Sequence, residues 1–351
     1  MSSTAAICLL PDLGVLRFHG ADAVRFLQGQ MSNDITQLAQ QPGQLAGYHN
    51  PQGRVLALLR LVQVNDGDIL AVLPAALAEP TAQSLRRFVL RAKVMISDES
   101  VTARVFGCTG APPADLLPGT ITLPLLPPPR IDPAKDDAAT PSATATASSA
   151  SVSNGTPTFA SSQPPLVPSP GAAQRWLLVD LGHHFDPAGT SLTRDQWRAL
   201  DVASGLPQVY EATTGQFVAQ MLNLDCIGGI SFNKGCYTGQ EVIARAHYRG
   251  RVKRRMRRFI TRGPATLAPG DSIHLPDGRS APVVDAVQTP DGRCEFLAVT
   301  GPAPEPQDTA TAPAPGAATT PAPAAAALDA AGPAAATLDA TELPLPYTLP
   351  D

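Results

Sequence analysis

Apolar and polar residues alternate through Val15-Leu16-Arg17-Phe18-His19-Gly20 and the run ends in glycine, which predicts a strand followed by a turn. Behind it, Val24, Phe26 and Leu27 fall at helical spacing, with Asp22 in the first turn and Gly29 as the stop, so a short helix is expected over 21–28. Residues 55–64 form a long apolar run interrupted by Arg60 and Gln63. Asn65-Asp66-Gly67-Asp68 is a hairpin turn signal, and Ile69-Leu70-Ala71-Val72-Leu73 reads as the returning strand. A helix is expected from about 81 to 92, with Leu85, Phe88 and Val89 on one face, and a strand from Lys93 onward. Trp176-Leu177-Leu178-Val179-Asp180 predicts another strand. Thr193-Arg194-Asp195-Gln196 is a capping box opening a helix with Trp197, Leu200, Val202 and Ala203, stopped by Gly205 and Pro207. After Gly270, short strands and turns at 272–275, 281–287 and 294–299 suggest a small β-barrel. Helices mixed with hairpin-linked strands argue for an α+β protein.

Composition changes this picture in two places. The 351 residues include 37 prolines, concentrated in two segments, 127–171 and 302–335, built from Pro, Ala, Ser and Thr. Such sequence lacks the large apolar side chains needed to offset ordering entropy, so both are expected to be disordered inserts. The five cysteines, Cys8, Cys108, Cys226, Cys236 and Cys294, are scattered and odd in number, which argues against a disulfide framework and against a self-contained metal site. Together with the absence of a secretory signal pattern and of a long apolar span, they predict a cytoplasmic setting and no membrane partner. The net charge of −4 predicts no general attraction to nucleic acid.

The most informative stretch is 222–258. Gly228-Gly229-Ile230-Ser231-Phe232 leads into Lys234-Gly235-Cys236-Tyr237-Thr238-Gly239-Gln240-Glu241. Thr238 and Glu241 have the spacing of a capping box before Val242-Ile243-Ala244, placing Cys236 just ahead of a helix N-terminus with Lys234 nearby. That setting favours a reactive thiol. Nine Arg or Lys residues follow between Arg245 and Arg262. Alternation of Arg249, Arg251, Lys253 and Arg255 reads plainly as a solvated strand pair. The functional reading is a site for an anion, with Tyr248 and Phe259 as the only aromatics that would serve an RNA.

The run from Gly228 through Lys234-Gly235-Cys236-Tyr237-Thr238-Gly239-Gln240-Glu241 to Arg245 and Arg249-Gly250 resembles the signature of the YgfZ family, folate-binding proteins related to the glycine cleavage system T-protein that support iron–sulfur enzymes. Weaker resemblances lie at Gln28-Gly29-Gln30 with Asn33-Asp34, at Arg91-Ala92-Lys93-Val94, at Gln196-Trp197-Arg198-Ala199-Leu200 with Ala203-Ser204-Gly205-Leu206-Pro207, and at Glu342-Leu343-Pro344-Leu345-Pro346-Tyr347. Read without the family, the Gln28 to Asp34 block is a helix C-cap and an Asx turn. Trp197 is a core residue of an amphipathic helix, and Arg91 lies at a solvated helix end.

The resemblance implies a T-protein-like architecture around a folate-sized cavity: an interleaved α+β body over 1–126 and 172–247, and a C-terminal barrel over 248–301 and 336–351. It implies that tetrahydrofolate or another folate binds with Trp197, Lys234, Tyr237, Gln240 and Arg91 in contact, and that Cys236 is the reactive thiol. No stably bound metal or cluster is expected, since one cysteine cannot hold a cluster alone. Expected partners are folate and iron–sulfur client enzymes, including tRNA-modifying ones. Leu13 stands where family members often have an aromatic residue. The alternatives are a folate-dependent aminomethyl transferase and a tRNA-binding module using the basic run.

Overall fold

The computed structural model describes residues 5–112, 120–125, 174–187, 191–250, 252–304 and 337–350. The two expected inserts lie almost wholly outside the described residues. In chain order the elements are β1 (Ala6–Leu9), β2 (Leu13–His19), α1 (Ala23–Gln28), β3 (Gln44–His49), β4 (Val55–Asn65), β5 (Asp68–Pro74), α2 (Ala75–Arg86), β6 (Met95–Asp98), β7 (Ala103–Thr109), β8 (Thr120–Leu125) and β9 (Arg175–Leu181). They continue with α3 (Arg194–Ala203), α4 (Gln240–Arg249), β10 (Arg255–Thr261), β11 (Ser272–His274), β12 (Ser280–Gln288), β13 (Cys294–Thr300) and β14 (Ala340–Leu343).

Among the described residues the strands form three antiparallel sheets alongside the helices, as expected of an α+β protein. The first runs β3-β4-β5-β2-β6, the second β1-β7-β9-β8 and the third β11-β12-β13-β10-β14. Because β1 joins β7 while β2 joins β5 and β6, the first two sheets are interleaved along the chain.

Alternation in the first sheet feeds two cores. Leu16 and Phe18 of β2, with Ile69, Ala71 and Leu73 of β5, face the main core. Val15, Leu70 and Val72 face a second core shared with Val105, Leu177 and Val179 of the second sheet. This is the period-2 rule applied to a sheet covered on both faces. On β4, Leu59 and Leu61 point to the main core and Val62 to the second. By the same parity Arg60 belongs to the second-core side, where an apolar residue would be ordinary.

Three expectations need correction. The helix expected over 81–92 is α2, which starts six residues earlier and ends at Arg86, carrying Pro80 in its first turns. Pro80 is the sixth residue of the helix, so it removes the bond its amide would otherwise make to the carbonyl of Ala76. Phe88 is consequently exposed, not part of an apolar face. The expected strand pair at 249–255 is instead the end of α4 and the start of β10. The expected barrel is an open sheet. Its edge strands β11 and β14 have three and four residues, too few for a closing ladder, and among the described residues a single bridge, between His274 and Thr337, lies between them. Among the described residues no helix is long and apolar enough to cross a membrane.

Candidate functional site

A narrow cleft opens where the three sheets meet. The cavity within its walls is small, about 40 Å³, and open to solvent on one side. Leu13 and Pro74 come from the ends of β2 and β5, Leu177 from β9, Arg60 from β4, and Trp197, Arg198 and Asp201 from α3. Asp285 reaches in from the third sheet. A bulge in β12 between Val283 and Asp285 breaks the register there, a usual device for re-aiming a side chain.

α3 is fixed by the capping box foreseen in the sequence. Thr193 Oγ1 accepts from the amide of Gln196, and the Gln196 side chain accepts from the amide of Thr193. The helix thereby presents Trp197 to the second core, where the indole is 4% exposed. A Cβ on Gly107 would come within 2.5–2.7 Å of three indole carbons. The Arg175 guanidinium sits 5.3 Å from the ring centre. Trp197 is therefore both a core residue and a wall of the cleft, not an open stacking platform.

Charges in the cleft are mostly paired. Arg198 donates to Asp285 at 2.6 Å, and Tyr210 donates to the other oxygen of the same carboxylate at 2.9 Å. Burial pushes the Asp285 carboxyl up, opposed by Arg198, Tyr210 and the amide of Ala286. Arg175 donates to Asp201 at 2.7 Å. Arg194 and Asp12 pair at 3.2 Å on the rim. Arg60, 8% exposed, has neither an ion-pair nor a hydrogen-bond partner among the described residues, and burial pushes its guanidinium down.

The signature residues gather elsewhere. The Lys234 ammonium donates to the carbonyls of Gln28, Met31 and Asn33 at 2.6–2.7 Å, which uses all three of its protons. Burial pushes it down to about 8, and Asp34 opposes that. Ser32 Oγ donates to the carbonyl of Gly229, Asn33 Nδ2 to that of Gly228, and the amide of Ser231 to the carbonyl of Ser32. The 28–34 turn and the 228–234 segment, two blocks that stood apart in the sequence, are thus stitched together. The Asx turn read at Asp34 is present, its carboxylate accepting from the amide of Thr36.

Tyr237 is buried beside His49, with ring centres 6.2 Å apart, and burial pushes its phenol up. The expected capping box is absent. α4 begins at Gln240 behind Gly239 in the left-handed conformation (φ +81°), and neither Thr238 nor Glu241 caps it. A Cβ on Gly239 would meet the carbonyl oxygen of Asn50 at 2.6 Å, so this close approach sets how the helix starts. Cys236 is exposed in the loop before α4, whereas Cys8, Cys108, Cys226 and Cys294 are buried. Gln240 is half-buried and Arg91 exposed.

Trp197 alone of the expected site residues lines the cleft; Lys234, Cys236, Tyr237, Gln240 and Arg91 do not. Leu13 lies on the cleft wall with Trp197. Arg60 and Asp285 were not picked out by sequence reasoning. The signal was present in both cases as a charge breaking an apolar strand, Arg60 within 55–64 and Asp285 within 281–287.

The basic run is largely consumed by structure. Arg255 pairs with Asp225, Arg257 with Glu342, Arg258 with Glu295 and Arg262 with Asp339. Arg254 donates to two backbone carbonyls. Phe259 is 1% exposed in the core of the third sheet, so it offers nothing to an RNA. Tyr248 does stay exposed, beside the stacked pair Phe232 and His247.

No protein-family model matches the chain. Among solved structures, the fold is similar to that of the glycine cleavage system aminomethyltransferase T from Bartonella henselae, with a TM-score of 0.57, 12% identity, and coverage of 85% of this chain and 79% of that chain. At that identity the likeness concerns architecture, and the chain has a T-protein-like fold.

Proposed function

We propose that this chain is a folate-binding accessory protein of the YgfZ type, holding a reduced folate in the cleft between its three sheets and serving iron–sulfur enzymes through Cys236. The observation that carries the folate part is the cleft itself. It is a narrow, partly open cleft with apolar walls at Leu13, Leu177 and Trp197 and a few convergent polar groups at Arg60, Gln208 and Tyr210, the chemical make-up of a small-molecule site. The T-protein-like fold supports the same reading, as does the signature at 228–250. A folate would contact the exposed edge of Trp197 and the polar groups opposite it. Lys234 and Tyr237 would act at a distance, by holding the Cys236 loop against the 28–34 turn.

The test is calorimetric titration with tetrahydrofolate for wild type and Trp197→Ala. Saturable binding that is lost in the variant supports the reading, and a wild type that binds no folate ends it. The iron–sulfur part rests on Cys236 as the exposed thiol among five cysteines. A Cys236→Ser variant that fully restores iron–sulfur enzyme activity in a deletion strain would remove that role. The second reading, an aminomethyl transferase, is favoured by the fold of the Bartonella henselae protein. Measured aminomethyl transfer to tetrahydrofolate by the purified chain would put it first.

A further inference from the structure

The charges at the cleft do not balance. Asp12, Asp201 and Asp285 each already hold an arginine, Arg194, Arg175 and Arg198 respectively. Arg60 is the fourth guanidinium there, and it is left over. It is more than nine-tenths buried, lines the cleft, and bonds to none of the carboxylates, to Tyr210, or to any backbone carbonyl among the described residues. Its unpaired nitrogens are not fully enclosed but face the open space of the cleft, and a mostly buried cation without a protein partner is costly. The position on β4 makes the point sharper, because its neighbour on the same face, Val62, packs in the second core. A fully apolar side chain would serve the fold better at this place.

We infer that Arg60 is the receptor for a single anionic group, a carboxylate, on the ligand of the cleft, and that it selects acid-bearing aromatic ligands over neutral ones of the same shape. This rests on the cleft being a ligand site, as in the function proposed above, but not on the ligand being a folate. One unpaired guanidinium fork matches one carboxylate group, so of the two carboxylates on a glutamate tail it would hold one. The guanidinium fork donates two parallel hydrogen bonds to a carboxylate, and the low-dielectric walls of Leu13, Leu177 and Trp197 strengthen them. Arg175 and Arg198 are already held by Asp201 with Ser204 and by Asp285, and Arg194 sits on the exposed rim with Asp12, so the enclosed guanidinium free to take a carboxylate with its whole fork is that of Arg60. In the absence of ligand, Arg60 is a cost to stability, and its replacement by an apolar side chain of similar length relieves that cost.

The experiment compares wild type, Arg60→Met and Arg60→Lys by calorimetry and thermal melting. The probes are tetrahydrofolate, 4-aminobenzoylglutamate, which has the acid without the pterin, and 6-methyltetrahydropterin, which has the pterin without the acid. Arg60→Met is expected to weaken both acid-bearing probes at least about 10-fold, as loss of a charge-assisted pair does, and to leave the neutral pterin unchanged. Arg60→Lys is expected to fall between, since an ammonium lacks the fork. Without ligand, Arg60→Met is expected to melt at the same temperature as wild type or higher. If neither tetrahydrofolate nor the pterin binds, but 4-aminobenzoylglutamate binds in an Arg60-dependent way, the folate reading fails and the inference stands. If tetrahydrofolate binds equally to wild type and Arg60→Met, the inference fails and the folate reading stands. A wild type that binds no acid-bearing probe, or an Arg60→Met variant that melts lower than wild type, also overturns the inference, the latter by revealing a structural partner.

Discussion

Gly107 of β7 lies against the indole of Trp197 so closely that a methyl group at position 107 would stand 2.5 Å from a ring carbon. Strand and helix therefore share one packing surface, and the absence of a side chain on the strand lets the tryptophan sit deep. Gly107→Ala must push the indole into the cleft or move α3. Overpacking of this kind costs about 1–3 kcal/mol. The expected result is a lower denaturation midpoint, together with weakened ligand binding because the same wall has moved. A Gly107→Ala protein with wild-type stability and binding would show that α3 slides freely, contrary to its capped and ion-paired geometry.

Lys234 holds the signature loop in place. Its three donors end on three carbonyls of the 28–34 turn, so Lys234→Met leaves those carbonyls without their partner. At about 1–3 kcal/mol for each buried group left unpaired, and with some rescue by water, a loss of roughly 3 kcal/mol is expected. Hydrogen exchange should quicken first at Ser231, whose amide bonds to Ser32, and at Gly47, whose amide bonds to the Ser32 hydroxyl. Lys234→Arg should not restore stability, since a planar fork cannot address three carbonyls converging on one point.

Much of this arrangement was legible in the sequence, and the failures share a cause. The hairpin at Asn65-Asp66-Gly67-Asp68, the capping box at Thr193 and the strands after Gly270 depend on local chemistry, which the chain displays directly. The false capping box at Thr238 also obeyed the local rule. It lost to a tertiary demand, the close approach of Gly239 to Asn50, which no spacing reveals. The cleft was illegible for the same reason. Arg60 looked like an interruption in an apolar run, and only the pairing of β4 with its neighbours shows that the interruption points inward. The bonds between Ser32, Asn33 and the Gly228-Gly229 pair join positions nearly two hundred residues apart, whereas each block alone looked like an ordinary turn. Tyr347 closes a similar gap. Its hydroxyl donates to the carbonyl of Gly205 and accepts from Asn223, joining the two segments 203–207 and 342–347.

Cys236 differs from its four fellow cysteines in exposure. Burial also pushes the Cys8, Cys108 and Cys294 thiols up, and that of Cys226 up to about 12, so these are poorly ionised as well as enclosed. A soluble alkylating reagent applied to the folded protein at neutral pH should label one site, Cys236, and the other four only after denaturation. Peptide mass analysis checks this. Early labelling of Cys226 would mean that the 222–228 segment opens readily, and would weaken the case for a rigid scaffold behind the signature loop.

His49 makes acid sensitivity a property of the same region. It is 1% exposed, and neither ring nitrogen has a hydrogen-bond partner among the described residues. Burial pushes it down to about 3, and the Gly47 backbone, poorly placed for a true hydrogen bond, acts only weakly the other way. The unfolded chain takes up this proton near pH 6.5, its ordinary value, while the folded chain takes it up only near 3. Between those values the unfolded state binds more protons, so stability falls as the pH drops below about 6.5, by at most about 1.4 kcal/mol per pH unit. His49→Leu removes the titrating group and two unpaired nitrogens at little change in volume. Chemical denaturation of wild type and variant at pH 7.5, 6 and 5 should give curves that diverge toward acid, with the variant flatter. Parallel curves would show that His49 is protonated without cost, and that some partner reaches a ring nitrogen in solution. Because His49 packs beside Tyr237, divergence should be accompanied by faster acid-side exchange in the loop that carries Cys236.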